Sequence, residues 1–370
     1  VILWQDKKMQ IGIIGLPTSG KTTIFNALTR GTAQTAAYSS GKLDVHTAMV
    51  DVPDPRVAIL SKMFNPKKTI HARVQYNDIA GLTKGIGGKD GMDGNLLNQI
   101  MLNDAIVHVV RAFDDPNVPH SLESVDPARD VEILETELIL SDLGVVERRL
   151  KRIETGQGKG GSTPAEREAL AKEKELLTKF QAALENGKPL RDLDLGPETP
   201  TYSLSLATFK PTLVVFNTGE HGETDPNKIA KYEYKKSMLV ALQGKLEMEL
   251  AQMSAEDAKV FLDEYGIAEP GLNKMIRLSY GLLGLQSFFT VGEDEVRAWT
   301  VRVGADAVDA AGTIHTDLAR GFIRAEVIAY DDLIASGNMV EARKRGVLRL
   351  EGKEYVVKDG DILNIRFNVS

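Results

Sequence analysis

The chain has 370 residues, 42% hydrophobic and 26% charged, the composition of a water-soluble globular protein with roughly two or three domains. No apolar run is long enough to cross a bilayer, and the absence of cysteine excludes disulfides, thiolate metal sites and thiol redox switching, which fits a cytoplasmic chain. A net charge of −7 argues against a protein that binds nucleic acid with its whole surface, because such proteins carry a strongly basic face.

Val1 to Lys8 contain no starting methionine and match no targeting sequence, so Met9, directly before the first strand, is the expected start. Short β-branched runs at 10–14, 70–76 and 105–111 alternate with helical patterns up to about residue 118. That alternation predicts an α/β fold with a parallel sheet and helices on both faces. Between the first run and a helix-like stretch at 23–28 stands Gly15-Leu16-Pro17-Thr18-Ser19-Gly20-Lys21-Thr22, which fits G-x-x-x-x-G-K-[ST]. Strand, loop and helix in this order define a phosphate-binding loop. Gly15 and Gly20 let backbone N–H groups turn inward around phosphate oxygens, and the helix N-terminus near Thr23 adds positive potential. Lys21 is placed to reach the β- and γ-phosphates, and the Thr22 hydroxyl to ligate Mg²⁺. A nucleoside triphosphate is therefore the expected ligand.

Asp78-Ile79-Ala80-Gly81 follows the second strand pattern and reads as D-x-x-G. Asp78 is the candidate second carboxylate at the metal, held directly or through water, and the Gly81 N–H the candidate sensor of the γ-phosphate. The next residue is Leu82, where small GTPases use glutamine to orient the attacking water. A leucine cannot hydrogen-bond water, so slow unaided hydrolysis, or a group supplied from elsewhere, is expected. The glycine-rich run 83–95 is a candidate switch that orders around the γ-phosphate.

Residues 130–196 change character: Val131, Leu134, Leu138 and Val145 recur at helical spacing among charged residues. An antiparallel helical hairpin is predicted, with its tip at 155–161. Thr163-Pro164-Ala165-Glu166 supplies the N-cap, the first-turn proline and the glutamate of a capping box for the second helix. Arg148, Arg149, Lys151 and Arg152 near the tip are candidate RNA contacts, against the alternative of a solvated helix face. The strand pattern resumes at 212–216 and ends in Asn217-Thr218-Gly219-Glu220. GTPases usually carry N-K-x-D at this place; here Thr218 replaces the lysine and Glu220 the short acceptor that selects guanine. Asn217 can instead pair through its amide with adenine N6 and N7. Residues 287–370 read as strands at 287–291, 297–303, 324–328, 347–350 and 362–367, a separate small domain. Within it Arg343, Lys344, Arg345, Arg349 and Lys353 form a basic stretch able to meet RNA phosphates.

Taken together, GIIGLPTSGKTTIFNALT, NDIAGLTKG, the run VVRAFDD at 109–115, FNTGE and the C-terminal segment resemble the Obg-like ATPases of the YchF type over residues 9–370. Gly312-Thr313-Ile314-His315 with Asp317, then Gly321 to Glu326, looks like that family's TGS domain. The resemblance implies a P-loop NTPase G domain at 9–129 and 197–286, a helical coiled-coil insertion at 130–196, and a β-grasp, ubiquitin-like TGS domain at 287–370. It also implies ATP in preference to GTP and association with the ribosome, its large subunit in particular, or with RNA through the hairpin and TGS domain. Carried over by residue, Lys21 and Thr22 match the phosphate and Mg²⁺ positions, Asp78 and Gly81 the second switch, and Asn217 with Glu220 the base-reading motif. Gln243-Gly244-Lys245 stands where many members have Ser-Gly-Ala, so Gln243 and Gly244 are further nucleotide candidates. Thr18-Ser19 replaces the usual Asn-Val, and Ser40-Gly41-Lys42-Leu43-Asp44 departs from the usual first switch. A GTP-specific regulator and a non-hydrolysing nucleotide-gated adaptor stand as alternatives, and the sequence leaves oligomeric state open.

Overall fold

The computed structural model describes residues 9–32, 34–39, 44–79, 92, 94–156, 163–195, 206–232 and 234–368. Gly81, Leu82, most of the glycine-rich run after them, residues 40–43 and most of the expected hairpin tip lie outside these. The apolar runs read as strands form the centre of a seven-stranded sheet. Its members are β1 (Gln10–Ile14), β2 (Gln34–Ser39), β3 (Asp44–Asp51), β5 (Arg73–Ile79), β6 (Ala105–Ala112), β7 (Thr212–Thr218) and β8 (Ser237–Leu242), in spatial order β2-β3-β5-β1-β6-β7-β8. Strands β1, β6, β7 and β8 run parallel, with Ile11 opposite Ala105, Ile106 opposite Thr212 and Thr212 opposite Ser237. A strand was predicted at 70–76; the chain instead makes β4 (Lys68–Ile70), breaks, and then forms β5.

Helices accompanying this sheet are α1 (Lys21–Thr32), α3 (Gly94–Met101), α4 (Pro127–Gly156), α5 (Pro164–Glu185), α6 (Pro226–Ile229), α7 (Gly244–Leu250) and α8 (Ala255–Glu264). Helix α4, with 30 residues, is about 45 Å long. Its first half is a sheet-covering helix: Leu134 and Leu138 pack with Ile14, Ile79, Leu96 and Ile106, and Val131 packs with Val110, Val214 and Phe216. Burying each such leucine stabilises by about 1.5–3 kcal/mol, an upper value. Its second half pairs with α5, where Val146, Leu150 and Ile153 meet Leu177, Phe180 and Leu184. The hairpin therefore grows out of a continuous helix that begins at Pro127. The 130 boundary has no structural counterpart, because one helical period runs through both parts. The predicted capping box is present, with the Thr163 hydroxyl accepting from the Glu166 N–H and the Glu166 carboxylate from the Thr163 N–H.

The chain divides into two units, one holding Gln10–Ala48 and Tyr76–Met275, the other Met49–Gln75 and Ile276–Ser370. The second contains α2 (Pro55–Phe64), most of α9 (Gly271–Leu282), β9 (Leu285–Val291), β10 (Glu295–Arg302), α10 (Ala307–Ile314) and α11 (Thr316–Arg320). It continues through β11 (Phe322–Ala329), α12 (Tyr330–Ser336), α13 (Met339–Lys344), β12 (Arg349–Glu351) and β13 (Asp361–Phe367). A six-stranded sheet in the order β12-β11-β13-β9-β10-β4 holds it together. Ala307, Ala310 and Ala311 of α10 let that helix approach closely to Phe288, Val301, Phe322 and Val327. All five strands expected after residue 286 are present, and the unit has the TGS-like β-grasp arrangement. Its sixth strand was not foreseen: β4 pairs in parallel with β10, Lys68 opposite Glu295, so 49–75 belongs here and not with the remainder of 9–129. A three-residue strand whose partner lies far along the chain carries no local signal. No helix among the described residues is long and apolar enough to cross a membrane.

Candidate functional site

Because β1, β6, β7 and β8 are parallel and adjacent, their C-terminal ends gather along one edge of the sheet, the edge where open α/β sheets bind ligands. The register fixes what meets there. Arg111 lies opposite Asn217, and Asn217 opposite Leu242, so the ends of three strands place these residues in one row. Ile14, the last residue of β1, lies opposite His108, and the phosphate-binding loop begins at the next residue.

The loop has the backbone its sequence demands. Gly15 and Gly20 have φ of 157° and 94°, and a Cβ on Gly15 would stand 2.2 Å from the Val109 carbonyl oxygen. Lys21, first residue of α1, folds its Nζ back to donate to the carbonyls of Gly15 at 2.7 Å and Leu16 at 3.0 Å. Burial lowers its pKa below the usual lysine value, while Asp78 pulls it back up. Asp78, at the end of β5, is 6% exposed. Burial raises its pKa, and the charges of Lys21 and His46 oppose the rise. Both groups are thus held in a dry place where charge is expensive, the condition for a strong interaction with a phosphate or metal ion. Thr22 is exposed at the start of α1, and Thr23 is half-buried. Thr47, near the expected first switch, donates its hydroxyl to Asn77 Oδ1 at 3.0 Å.

Asn217, the candidate base-reading residue, has a structural part as well. Its Nδ2 donates to the Ser19 carbonyl at 3.0 Å, and its Oδ1 accepts the Gly244 N–H at 2.9 Å. The carboxamide sits between two glycines: a Cβ on Gly20 would lie 2.1 Å from Nδ2, and one on Gly244 would lie 2.7 Å from Oδ1. It therefore ties the phosphate-binding loop to the N-terminus of α7, leaving one N–H and one lone pair. Thr218 is buried and donates to the Leu242 carbonyl, so it cannot act as the lysine it replaces. The Glu220 side chain is exposed, while its backbone carbonyl accepts from Gln243 Nε2 at 3.1 Å. Gln243 is the N-cap residue of α7 and makes no side-chain cap bond. From the other side Glu247 accepts the Gly271 N–H at 2.6 Å, anchoring α7.

Sequence reasoning passed over Arg111. It is 2% exposed, donates from Nε to the Phe113 carbonyl at 3.0 Å and from Nη2 to the Val118 carbonyl at 2.8 Å, and reaches the Thr18 hydroxyl with Nη1 at 3.4 Å. Its guanidinium stacks on the Phe113 ring at 4.4 Å, and Phe113 in turn neighbours Gly219. The segment from 113 to 126 is closed at its far end by buried His120, whose Nε2 lies 2.9 Å from Asp130 Oδ2, and by Arg129 on Ser124. An arginine inside a strand that is apolar but for His108 was the available signal. His108 was likewise overlooked; burial and then Lys21 push its pKa down to about 3.

The basic clusters are partly committed. Arg149 makes a bidentate bond to Glu173 at 2.7 and 2.8 Å, a strut between α4 and α5. Arg148, Lys151 and Arg152 are exposed. In the C-terminal unit Lys344 pairs with Glu341, Arg343 with Glu326, and Arg345 donates to the Ala335 carbonyl.

Parallel strands ending in a glycine-turned loop with a half-buried lysine, a buried carboxylate and a buried asparagine define a P-loop NTPase of the G-domain kind. Residues 10–141 match the family model described as 50S ribosome-binding GTPase, and 285–368 match that of the YchF-GTPase C-terminal region, described as a protein of unknown function. The chain is 42% identical to the ribosome-binding ATPase YchF of Bacillus subtilis, over 97% of this chain and 99% of that one. It is 41% identical to the protein of the same name from Escherichia coli O157:H7, again over 97% and 99%. The solved structure of the Schizosaccharomyces pombe YchF GTPase superposes with a TM-score of 0.83 at 33% identity, covering 97% of this chain and 98% of that one. The chain belongs to the YchF family.

Proposed function

We propose that this chain is an ATP-binding and ATP-hydrolysing P-loop switch that acts on the ribosome. The observation that carries the reading is the base edge of the site: Thr218 is buried against Leu242, Glu220 points to solvent, and Asn217 is the amide nearest the phosphate-binding loop. Without an aspartate to accept two hydrogen bonds from guanine, the site loses its means of rejecting adenine. The relatives named ribosome-binding ATPases support the same choice of base and partner, and a ribosomal partner implies the cytoplasm as the place of work. One observation favours GTP instead, since the fission-yeast relative is called a GTPase.

Thr22 and Asp78 offer hard oxygen donors beside Lys21, a set that suits Mg²⁺. Among the described residues no group of three or more His, Cys, Asp or Glu forms a metal cage. Thr22 and Asp78 would hold Mg²⁺, which would supply charge neutralisation to the phosphates. The chain's own part is to hold the triphosphate in the loop amides and to set the Lys21 ammonium against the γ-phosphate. Gly81 is the proposed γ-phosphate sensor, and Leu82 leaves the attacking water to be oriented by another group. Exposed basic residues on the hairpin, Arg148, Lys151 and Arg152, and on the C-terminal unit are the proposed contacts with ribosomal RNA.

Calorimetric titration with ATP and with GTP in Mg²⁺ tests the base. A tenfold preference for ATP, about 1.4 kcal/mol, is expected; a preference for GTP overturns it. Single-turnover assay tests hydrolysis, and recovery of intact triphosphate would make the protein a nucleotide-gated adaptor.

A further inference from the structure

Thr18 carries a φ of 60°, a left-handed conformation that a β-branched residue avoids. It sits inside the loop that wraps phosphate, so something outside the loop must hold it there. The Ser19 carbonyl is fixed by Asn217, but the Thr18 side chain has a different partner, Nη1 of Arg111. Arg111 cannot move independently to follow it. Its Nε and Nη2 are bonded to the carbonyls of Phe113 and Val118, and its guanidinium is packed on the Phe113 ring. The planar fork therefore spans two segments, the phosphate-binding loop and the connector running from β6 towards α4. Among the described residues no carboxylate forms an ion pair with this buried guanidinium; its partners are carbonyls and a hydroxyl.

We propose that Arg111 is a positioning residue for triphosphate binding, its fork clamping Thr18 to the 113–118 connector so that ordering either one orders the other. The inference rests on reading 15–22 as the triphosphate site. By linkage, a ligand that fixes the loop must stabilise the connector by the same factor with which the connector improves ligand affinity. The far end of that segment is bound through His120 and Arg129 to the first turn of α4, so the tie reaches the root of the helical hairpin.

The test is a double-mutant cycle on the full chain with Arg111→Met, Thr18→Val and both together. The β,γ-imido analogue of ATP with Mg²⁺ is the probe. Affinity is read by calorimetry, and amide hydrogen exchange of 113–118 is read with and without probe. In the unaltered chain the probe slows exchange at 113–118. Arg111→Met is expected to weaken binding about tenfold and to abolish that ligand-dependent protection, and the double variant to bind no more than about twofold weaker than Arg111→Met alone. Penalties that multiply, or protection that persists in Arg111→Met, overturn the proposal. A purely structural arginine would lower the melting temperature without touching ligand-dependent protection. Should Arg111→Met not fold, Thr18→Val and Arg111→Lys decide the matter: each must lose the protection, because one lacks the hydroxyl and the other the fork. If the unaltered chain does not bind the probe while Lys21→Ala behaves identically, the triphosphate reading itself fails.

Discussion

Lys21, Asp78 and Asn217 stand out in the sequence as candidate site residues because each lies at a fixed spacing from a glycine or a strand end, and the chemistry requires that spacing. What the residues do beside the motif was not legible. Asn217 clasps the Ser19 carbonyl and the Gly244 N–H, and nothing in a four-residue motif announces a partner 198 positions away. The clasp explains why Gly20 has to be glycine, since a Cβ would overlap Nδ2 and the φ of 94° is hostile to any other residue. Gly20→Ala is expected to reduce nucleotide affinity at least a hundredfold, as is Lys21→Ala, both measured by calorimetry; the alanine at 20 should also lower the melting temperature. His108 offers a pH test. Its pKa falls from about 6.5 in the unfolded chain to about 3 when folded. Only the unfolded form then takes up a proton between these values. The contribution to stability is complete above pH 6.5 and is lost as the pH drops towards 3, at a rate of at most about 1.4 kcal/mol per pH unit. Denaturant titrations across this range should show His108→Leu with a shallower acid dependence than the unaltered chain.

At the scale of elements, strands came through most clearly where they are buried on both faces, as in β1, β6 and β7, whose β-branched runs leave no other reading. The hairpin was visible through its cap, its proline and its heptad-like apolar spacing. Its starting point was not, because α4 turns from sheet cover to hairpin arm without interrupting its period. Asp142 marks the junction: from mid-α4 it accepts the backbone N–H groups of Ala207 and Thr208 and the Thr208 hydroxyl, at 2.9, 2.8 and 2.6 Å. Removing it as Asp142→Ala orphans buried donors where the chain returns to the sheet, and should cost about 2 kcal/mol or more. Thr163→Ala, which deletes only the exposed cap of α5, should cost about 1 kcal/mol. Chemical denaturation of both variants checks the order.

Over the whole molecule, each of the two units is assembled from separated stretches of chain, so neither can be read from the sequence as a single block. The β-grasp unit borrows α2 and β4 from 49–75 and secures them with Arg56, whose guanidinium bonds Asp54 and Asp359 and lies 5.1 Å from the Phe289 ring. Periodicity cannot reveal such a loan, since neither segment is incomplete on its own terms. A fragment cut to the matched region 285–368 would leave β10 with an unpaired edge. That fragment is expected to self-associate on gel filtration, whereas the intact chain should not do so through this edge.

The pairing of β4 with β10 also sets a clock. Lys67 and Asp294, which flank the paired strands, are 227 positions apart. At ordinary synthesis rates of 5–20 residues per second, β4 waits roughly 10–45 s for its partner to be made. During that interval a newly made chain carries its first β-grasp strand without a sheet to join, and the unit closes only when almost the last residue has been added.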